Sequence, residues 1–205
     1  LGGRGGAALA AAVQNGVLPL LEELNLKSTQ LTDEAGAAIA IALARAGTAV
    51  KVLTLARNSG LSRQAAHALG CLLAANNSIQ ELDLMICGLD EGACVALFEE
   101  LARRSGPSAL RKLDLRANTL GGRGGAALAA AVQKGMLPLL AELNLRGANL
   151  TDEAGAAMAI ALERAGTAVK VLKFGGNSGL SLQAARALGC LLKGRVAAPR
   201  GAVVE

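Results

Sequence analysis

Apolar positions return along the chain in a fixed frame, apolar-x-x-apolar-x-apolar, with polar or small residues between them. The frame is met six times: Leu21-Glu-Glu-Leu-Asn-Leu26, Val50-Lys-Val-Leu-Thr-Leu55, Ile79-Gln-Glu-Leu-Asp-Leu84, Leu110-Arg-Lys-Leu-Asp-Leu115, Leu140-Ala-Glu-Leu-Asn-Leu145 and Val169-Lys-Val-Leu-Lys-Phe174. Its middle anchors, Leu24, Leu53, Leu82, Leu113, Leu143 and Leu172, are spaced 29, 29, 31, 30 and 29 residues apart. The last two anchors of each frame alternate with outward positions, as a half-buried strand requires. Strands are therefore predicted near 21–26, 50–55, 79–84, 110–115, 140–145 and 169–174. A further leucine (Leu31, Leu61, Leu89, Leu120, Leu150, Leu180) closes each frame.

Between the strands lie alanine-rich segments with helix punctuation. Thr32 is placed to cap a helix whose first turn carries Asp33 and Glu34 and whose end carries Arg45 and Gly47. Ser62, Asp90, Thr151 and Ser181 begin the equivalent segments. A strand and a helix repeated at this period pack as a coil with parallel strands on one face and helices on the other. Helices are wider than strands, so the sheet is expected on the inner, concave side. The predicted fold class is α/β, a curved horseshoe solenoid. Leu1–Leu73 also recurs as Leu120–Leu192, with 15 differences over 73 positions, which reads as an internal duplication. Residues 1–194 are expected to form one domain of about six repeats. Residues 195–205 are expected to be an irregular tail with a frayed seventh strand near Ala202.

The longer motif L-x-x-L-x-L-x-x-N-x-L, seen as Leu110-Arg-Lys-Leu-Asp-Leu-Arg-Ala-Asn-Thr-Leu120, resembles the ribonuclease-inhibitor-like class of leucine-rich repeats. The resemblance runs from Leu1 to about Leu192 and implies the horseshoe fold. It does not by itself imply one function, because the class includes inhibitors, GTPase-activating proteins, immune receptors and scaffolds. Asn58, Asn118 and Asn177 hold the asparagine position, where a buried side chain can satisfy backbone groups of adjacent turns. Thr29 and Cys87 are weaker substitutes. Ala148 offers no side-chain hydrogen bond unless Asn149 takes its place. A looser turn is expected there, with Ala148→Asn neutral or stabilising.

Composition restricts the function classes. Apolar residues make up 52% of the chain, yet there are two Phe and no Trp or Tyr, which suits thin layers of small side chains. The longest apolar runs, such as Ala35–Ala44, reach about half the length a membrane helix needs. No targeting signal is legible. Four cysteines without a C-x-x-C pair, Cys71, Cys87, Cys94 and Cys190, read as small core residues of a reducing, cytoplasmic setting. The net charge of +5 permits an acidic partner without requiring nucleic acid.

The chemical inventory is thin. His67 is the single histidine, its counterpart in the second copy is Arg186, and a surface helix position is expected for it. No catalytic constellation is expected around it, and no ligand set has metal spacing; no cofactor is implied. Gly2-Gly-Arg-Gly-Gly6 and Gly121-Gly-Arg-Gly-Gly125 resemble arginine-glycine boxes but lie before alanine-rich helices, where glycines permit a tight turn and close packing. Nucleic-acid binding is not favoured, since neither aromatic interleaving nor a long basic stripe is present.

Strand alternation places three columns on the inner face: Glu23, Val52, Glu81, Lys112, Glu142 and Val171; Asn25, Thr54, Asp83, Asp114, Asn144 and Lys173; and Lys27, Ala56, Met85, Arg116, Arg146 and Gly175. The surface reads either as a solvated sheet face or as a binding face. Eight of the 15 differences between the copies fall at 27–30 and 54–57, as recognition pressure or relaxed constraint would produce. The expected function is a noncatalytic protein-binding module, part of a larger cytosolic receptor or scaffold. Its partner site is placed at Asp83, Met85, Lys112, Asp114, Arg116, Asn144 and Arg146. The alternatives are a GTPase-activating protein similar to that of the nuclear-transport GTPase and a ribonuclease-inhibitor-type inhibitor; the first family's acidic tail and the second's expected acidic, aromatic-rich inner face are not matched here. End-to-end self-association through exposed solenoid edges is a further expectation.

Overall fold

The computed structural model describes residues 1–181 apart from 76–77 and 104–105, together with residue 184 and the backbone of 203–204. The elements alternate along the chain: α1 (Gly2–Gln14), β1 (Glu23–Asn25), α2 (Asp33–Ala46), β2 (Val52–Thr54), α3 (Arg63–Ala75), β3 (Glu81–Asp83), α4 (Glu91–Ala102), β4 (Lys112–Asp114), α5 (Gly121–Gln133), β5 (Glu142–Asn144), α6 (Asp152–Arg164), β6 (Val171–Lys173) and β7 (Val203–Val204). The strands form one parallel sheet in chain order. Its register brings the six middle leucines, Leu24 to Leu172, opposite one another. Consecutive helices pack on the other side. The fold is a leucine-rich-repeat solenoid.

Each of the first six strands is three residues long rather than six. Just before the strand, one carbonyl takes two amides from the next repeat, as when Lys51 N and Val52 N both donate to Glu22 O at 2.7 and 3.1 Å. That shared acceptor turns the chain out of the regular ladder. At the far end, β7 pairs Leu172 with Val204, 32 residues on. Arg186 and Cys190 lie outside the described residues, as does the tail except 203–204.

The core is a stack of leucine layers between sheet and helices, with Phe98 fully buried among them. Helices of neighbouring repeats approach closely where small residues meet. A Cβ on Gly6 would stand 2.6 Å from Ala35 Cβ, and one on Gly125 would stand 2.7 Å from Ala154 Cβ. The two arginine-glycine segments therefore form the first turns of α1 and α5, where they let helices touch.

Helix starts are tied both within and between repeats. Thr32, Asp90 and Thr151 accept the amides of Ala35, Ala93 and Ala154, each three residues on. Asp33 also reaches into the next repeat and takes Ser62 N, Ala65 N and Gln64 N at 2.7, 2.9 and 3.2 Å, together with the Ser62 hydroxyl. Burial alone would raise the carboxyl's pKa; the hydrogen bonds from Ser62, Ala65 and Gln64 outweigh it and hold Asp33 below its ordinary value. Glu91 plays the same part toward α5, accepting Arg123 N at 2.7 Å.

The turn after each strand carries the asparagine arrangement. Asn118 Oδ1 accepts Cys87 N and Leu89 N of the preceding repeat, both at 3.1 Å, while Nδ2 donates to Leu84 O and Leu115 O at 2.8 and 3.0 Å. Asn58 and Asn177 span adjacent turns in the same way. In the intervening repeats Thr29 Oγ1 donates to Leu26 O at 2.8 Å and Cys87 Sγ approaches Leu55 O at 3.2 Å.

The loose turn expected at Ala148 is not found. Leu120 N donates to Ala148 O at 2.9 Å, so a backbone carbonyl takes the amide that an asparagine would otherwise serve. Gly121 N lies 3.4 Å from the same oxygen, and Leu1 N and Gly2 N meet Thr29 O in the same manner. Ala148 is fully buried.

The residue before the asparagine position has positive φ in every repeat: Ser28, Arg57, Ile86, Ala117, Gly147 and Gly176. Only the last two are glycines, for which this conformation carries no steric cost.

Candidate functional site

The sheet's open face is built from the residues flanking the buried leucines. Cross-strand register sets Glu81, Lys112 and Glu142 in one row and Asp83, Asp114 and Asn144 in the next, with strands about 4.8 Å apart. The predicted site residues are thus brought together on β3, β4, β5 and the turns that follow. Part of their polar capacity is spent internally. Asp83 Oδ1 accepts Met85 N, Asp114 Oδ1 accepts Arg116 N and Asn144 Oδ1 accepts Arg146 N, at 2.9, 2.9 and 3.2 Å. Asn25 does the same for Lys27 N at 3.1 Å. These side chains stop the strand by capturing an amide two residues on.

Three positions expected to face solvent are buried: Ala56, Met85 and Asn144. The Arg116 guanidinium lies on Met85 Sδ, and Asn144 Nδ2 donates to Asp114 Oδ2 at 3.0 Å. Neighbouring strands are close enough for a long or hydrogen-bonding side chain to cover its neighbour. Arg116 is itself half-buried, and among the described residues its Nε finds no hydrogen-bond partner. Asp114 and Arg116 therefore support the turn as well as facing the surface.

Glu142, absent from the predicted set, joins two cations. It lies 3.8 Å from Lys112 Nζ and 3.3 Å from Lys173 Nζ, forming a charged row over β4, β5 and β6. Toward β2 the short side chains of Val52 and Thr54 leave a hollow of about 170 Å³, walled by Glu81, Asp83, Lys112 and Asp114. The hollow is centred one strand earlier than the predicted site. Short residues beside long ones in adjacent rows were the sequence signal for it.

The copy differences acquire a structural explanation. Ser28, Gln30 and Arg57 have positive φ, and their counterparts are Gly147, Asn149 and Gly176, which tolerate that conformation better. Three of the eight clustered differences thus follow from backbone geometry and carry no argument for recognition.

On the helical side, His67 and Cys71 of α3 meet Glu100 of α4, an assembly the sequence reading did not anticipate. Cys71 Sγ is 3.8 Å from His67 Nδ1 and 3.9 Å from Glu100 Oε2, while His67 Nε2 lies 3.3 Å from Glu100 Oε1. The order of groups resembles a thiol, base and acid triad, but its electrostatics oppose nucleophilic catalysis. Burial and then the Glu100 charge raise the Cys71 pKa, whereas a catalytic thiol needs it lowered. Cys71 also sits inside α3, where backbone amides are committed to the helix and cannot form an oxyanion hole. Cys87 and Cys94 are more inert still, with thiols pushed to about 12 mainly by burial.

Fold and surface define a leucine-rich-repeat solenoid with an open, charged sheet face. A family model described as Leucine Rich repeat matches residues 17–40, 108–129 and 137–159. Among solved structures, the chain is similar to leiomodin-1 actin-binding site 2, with 22% identity and a TM-score of 0.58 over 76% of this chain and 86% of that one. It is also similar to the tropomodulin C-terminal domain of Caenorhabditis elegans, with 12% identity and a TM-score of 0.53 over 92% and 91% of the two chains. No curated protein matches the chain. Among the described residues no helix is long and apolar enough to cross a membrane.

Proposed function

We propose that the chain binds a protein partner on the concave face of its sheet, with the hollow over β2, β3 and β4 at the centre of contact. The observation that carries this reading is the hollow itself, where Glu81, Asp83 and Asp114 oppose Lys112 around the short Val52 and Thr54. Strands fix the backbone there, so binding orders little chain. Mixed charge in adjacent rows orients a partner and rejects wrong ones more than it raises affinity. The ribonuclease-inhibitor-like kinship and a cytosolic setting are part of the same proposal, supported by the repeat motif and by Cys87 and Cys94 serving as core residues. Neither GTPase activation nor ribonuclease inhibition has a specific feature in its favour. The actin-binding site named for the leiomodin-1 structure makes actin a sensible first partner to assay.

The test is a charge exchange, Glu81→Lys with Lys112→Glu. Both positions are exposed, so the fold is kept while the hollow's polarity is reversed. Binding to actin in cosedimentation, or to partners recovered from cell extract, is expected to fall about tenfold or more, as for a central contact. Undiminished binding by the exchanged variant, with binding lost in Arg45→Glu or Arg164→Glu on the helical side, would transfer the site to the convex face.

A further inference from the structure

We propose that His67, Cys71 and Glu100 form a zinc-binding site that clamps α3 to α4 and leaves one coordination position open. The three residues supply one nitrogen, one sulfur and one oxygen, and one donor atom from each lies within 4.8 Å of the other two. A four-coordinate zinc ion, with bonds of about 2.0–2.3 Å, places its ligand atoms roughly 3.3–3.8 Å apart. The separations of 3.8, 3.9 and 3.3 Å run to different nitrogens of His67 and different oxygens of Glu100, so they are not the edges of one donor triangle. A single set with one donor from each residue lies within 4.8 Å, and binding turns one imidazole nitrogen and one carboxylate oxygen toward Cys71 Sγ to reach the tetrahedral spacing.

The backbone is arranged to permit this approach. His67 and Cys71 are four residues apart on α3 and share one face of the helix. Glu100 comes from α4, 29 residues beyond Cys71, so the repeat period itself brings it alongside. Gly70 allows the contact: a Cβ there would lie 2.6 Å from Leu97 O and 2.7 Å from Glu100 Cβ. The Glu100 side chain is 15% exposed and held between the helices, while the His67 side chain is 56% exposed and leaves the outer side open. Water or a donor from a binding partner completes the coordination.

The donor chemistry selects the ion. A thiolate and a carboxylate balance the charge of one divalent cation, and the thiolate with the imidazole favours zinc over magnesium or calcium. Arg103 pairs with Glu100 in the unloaded site, but its side chain is 68% exposed at the end of α4 and can withdraw into solvent. No catalytic step is assigned to the ion. Its effect is to crosslink neighbouring repeats and stabilise the folded state through binding. The second copy keeps Cys190 but carries Arg186 in place of His67, so the ligand set occurs once.

Cobalt(II) as a spectroscopic probe, followed by zinc competition against a chromophoric chelator, tests this on the full, reduced chain. The expected result is one ion per chain, a thiolate-to-cobalt charge-transfer band, and a rise in melting temperature with zinc but not with magnesium. Cys71→Ser should abolish the band. His67→Arg and Glu100→Gln should each weaken zinc binding at least tenfold while leaving the circular dichroism spectrum unchanged. His67→Arg is a suitable variant because the second copy, almost identical in sequence over this segment, carries Arg186 at the corresponding position. The proposal is overturned if the wild-type chain gives no thiolate band. It is equally overturned if the band survives Cys71→Ser and vanishes in Cys190→Ser, or if His67→Arg binds zinc as tightly as the wild type.

Discussion

Asn118→Ala tests the physical basis of the repeat. The side chain is 4% exposed and makes four hydrogen bonds, two accepted from the preceding repeat and two donated to carbonyls on either side. Each such bond contributes roughly 0.5–1.5 kcal/mol net, and a buried group left unmade costs about 1–3 kcal/mol. Water entering the space recovers part of the loss, so the expected destabilisation is about 2–4 kcal/mol. For a chain of this size that corresponds to a fall in melting temperature of roughly 4–16 °C. Denaturant unfolding followed by circular dichroism and by a fluorescent label provides the free energy and checks that the transition is cooperative. Cys87→Ala is the comparison, because the thiol makes only a weak bond to Leu55 O and its removal should cost less than the loss of Asn118. A loss below about 0.5 kcal/mol for Asn118→Ala, or a loss no larger than that of Cys87→Ala, would refute the view that these asparagines hold successive turns together.

Three further outcomes are expected. Ala148→Thr should be nearly neutral, because Thr29 holds the equivalent position in the first copy, whereas Ala148→Asn, expected from the sequence to be neutral or stabilising, should instead destabilise by about 1–3 kcal/mol, since the Ala148 carbonyl already takes Leu120 N and the site is fully buried; equal urea midpoints for the two would reject this. Ile86→Gly should stabilise by about 1 kcal/mol, since a β-branched residue at φ 55° is strained there, and a lower urea midpoint would show that the strain argument fails. Asp33 has a lowered native pKa, so its stabilising effect is present above its unfolded value of about 4 and is lost as pH falls through the native value. The stability gap between wild type and Asp33→Asn should therefore be full near neutrality and narrow in acid; a gap independent of pH would contradict the inter-repeat cap.

The parts of the fold legible in sequence were those fixed by one repeat's own pattern. Leu24 and Leu26 alternate with Glu23 and Asn25, so the strand centre and its open face could be read directly. Strand ends could not, because the double acceptor at Glu22 depends on where Lys51 and Val52 of the next repeat arrive. The same limit explains the candidate surface. Met85 looks exposed from its own strand, but Arg116 covers it from the neighbouring one. Asn144 is buried beside Asp114, to which its amide donates across the strands.

Contacts between repeats were nevertheless encoded by the period. Cys71 and Glu100 differ by 29 residues, as do Asp33 and Ser62, so both pairs become neighbours once the strands are in register. The left-handed residues follow the same rule, which Ile86 and Ala117 conceal because neither is a glycine. Ala148 concealed its role because the backbone carbonyl, which every residue has, supplies the bond there.

The most direct measurement of the functional account is site-specific photo-crosslinking from the two faces of the folded chain. A benzophenone side chain placed at Glu81, beside the hollow, is compared with one at Arg45 on the helical side, in the same cell extract. The account predicts a discrete protein adduct from position 81 that is suppressed by excess unlabelled wild-type chain, and none from position 45. A competed adduct from position 45 alone would contradict it and make the convex helices the binding surface.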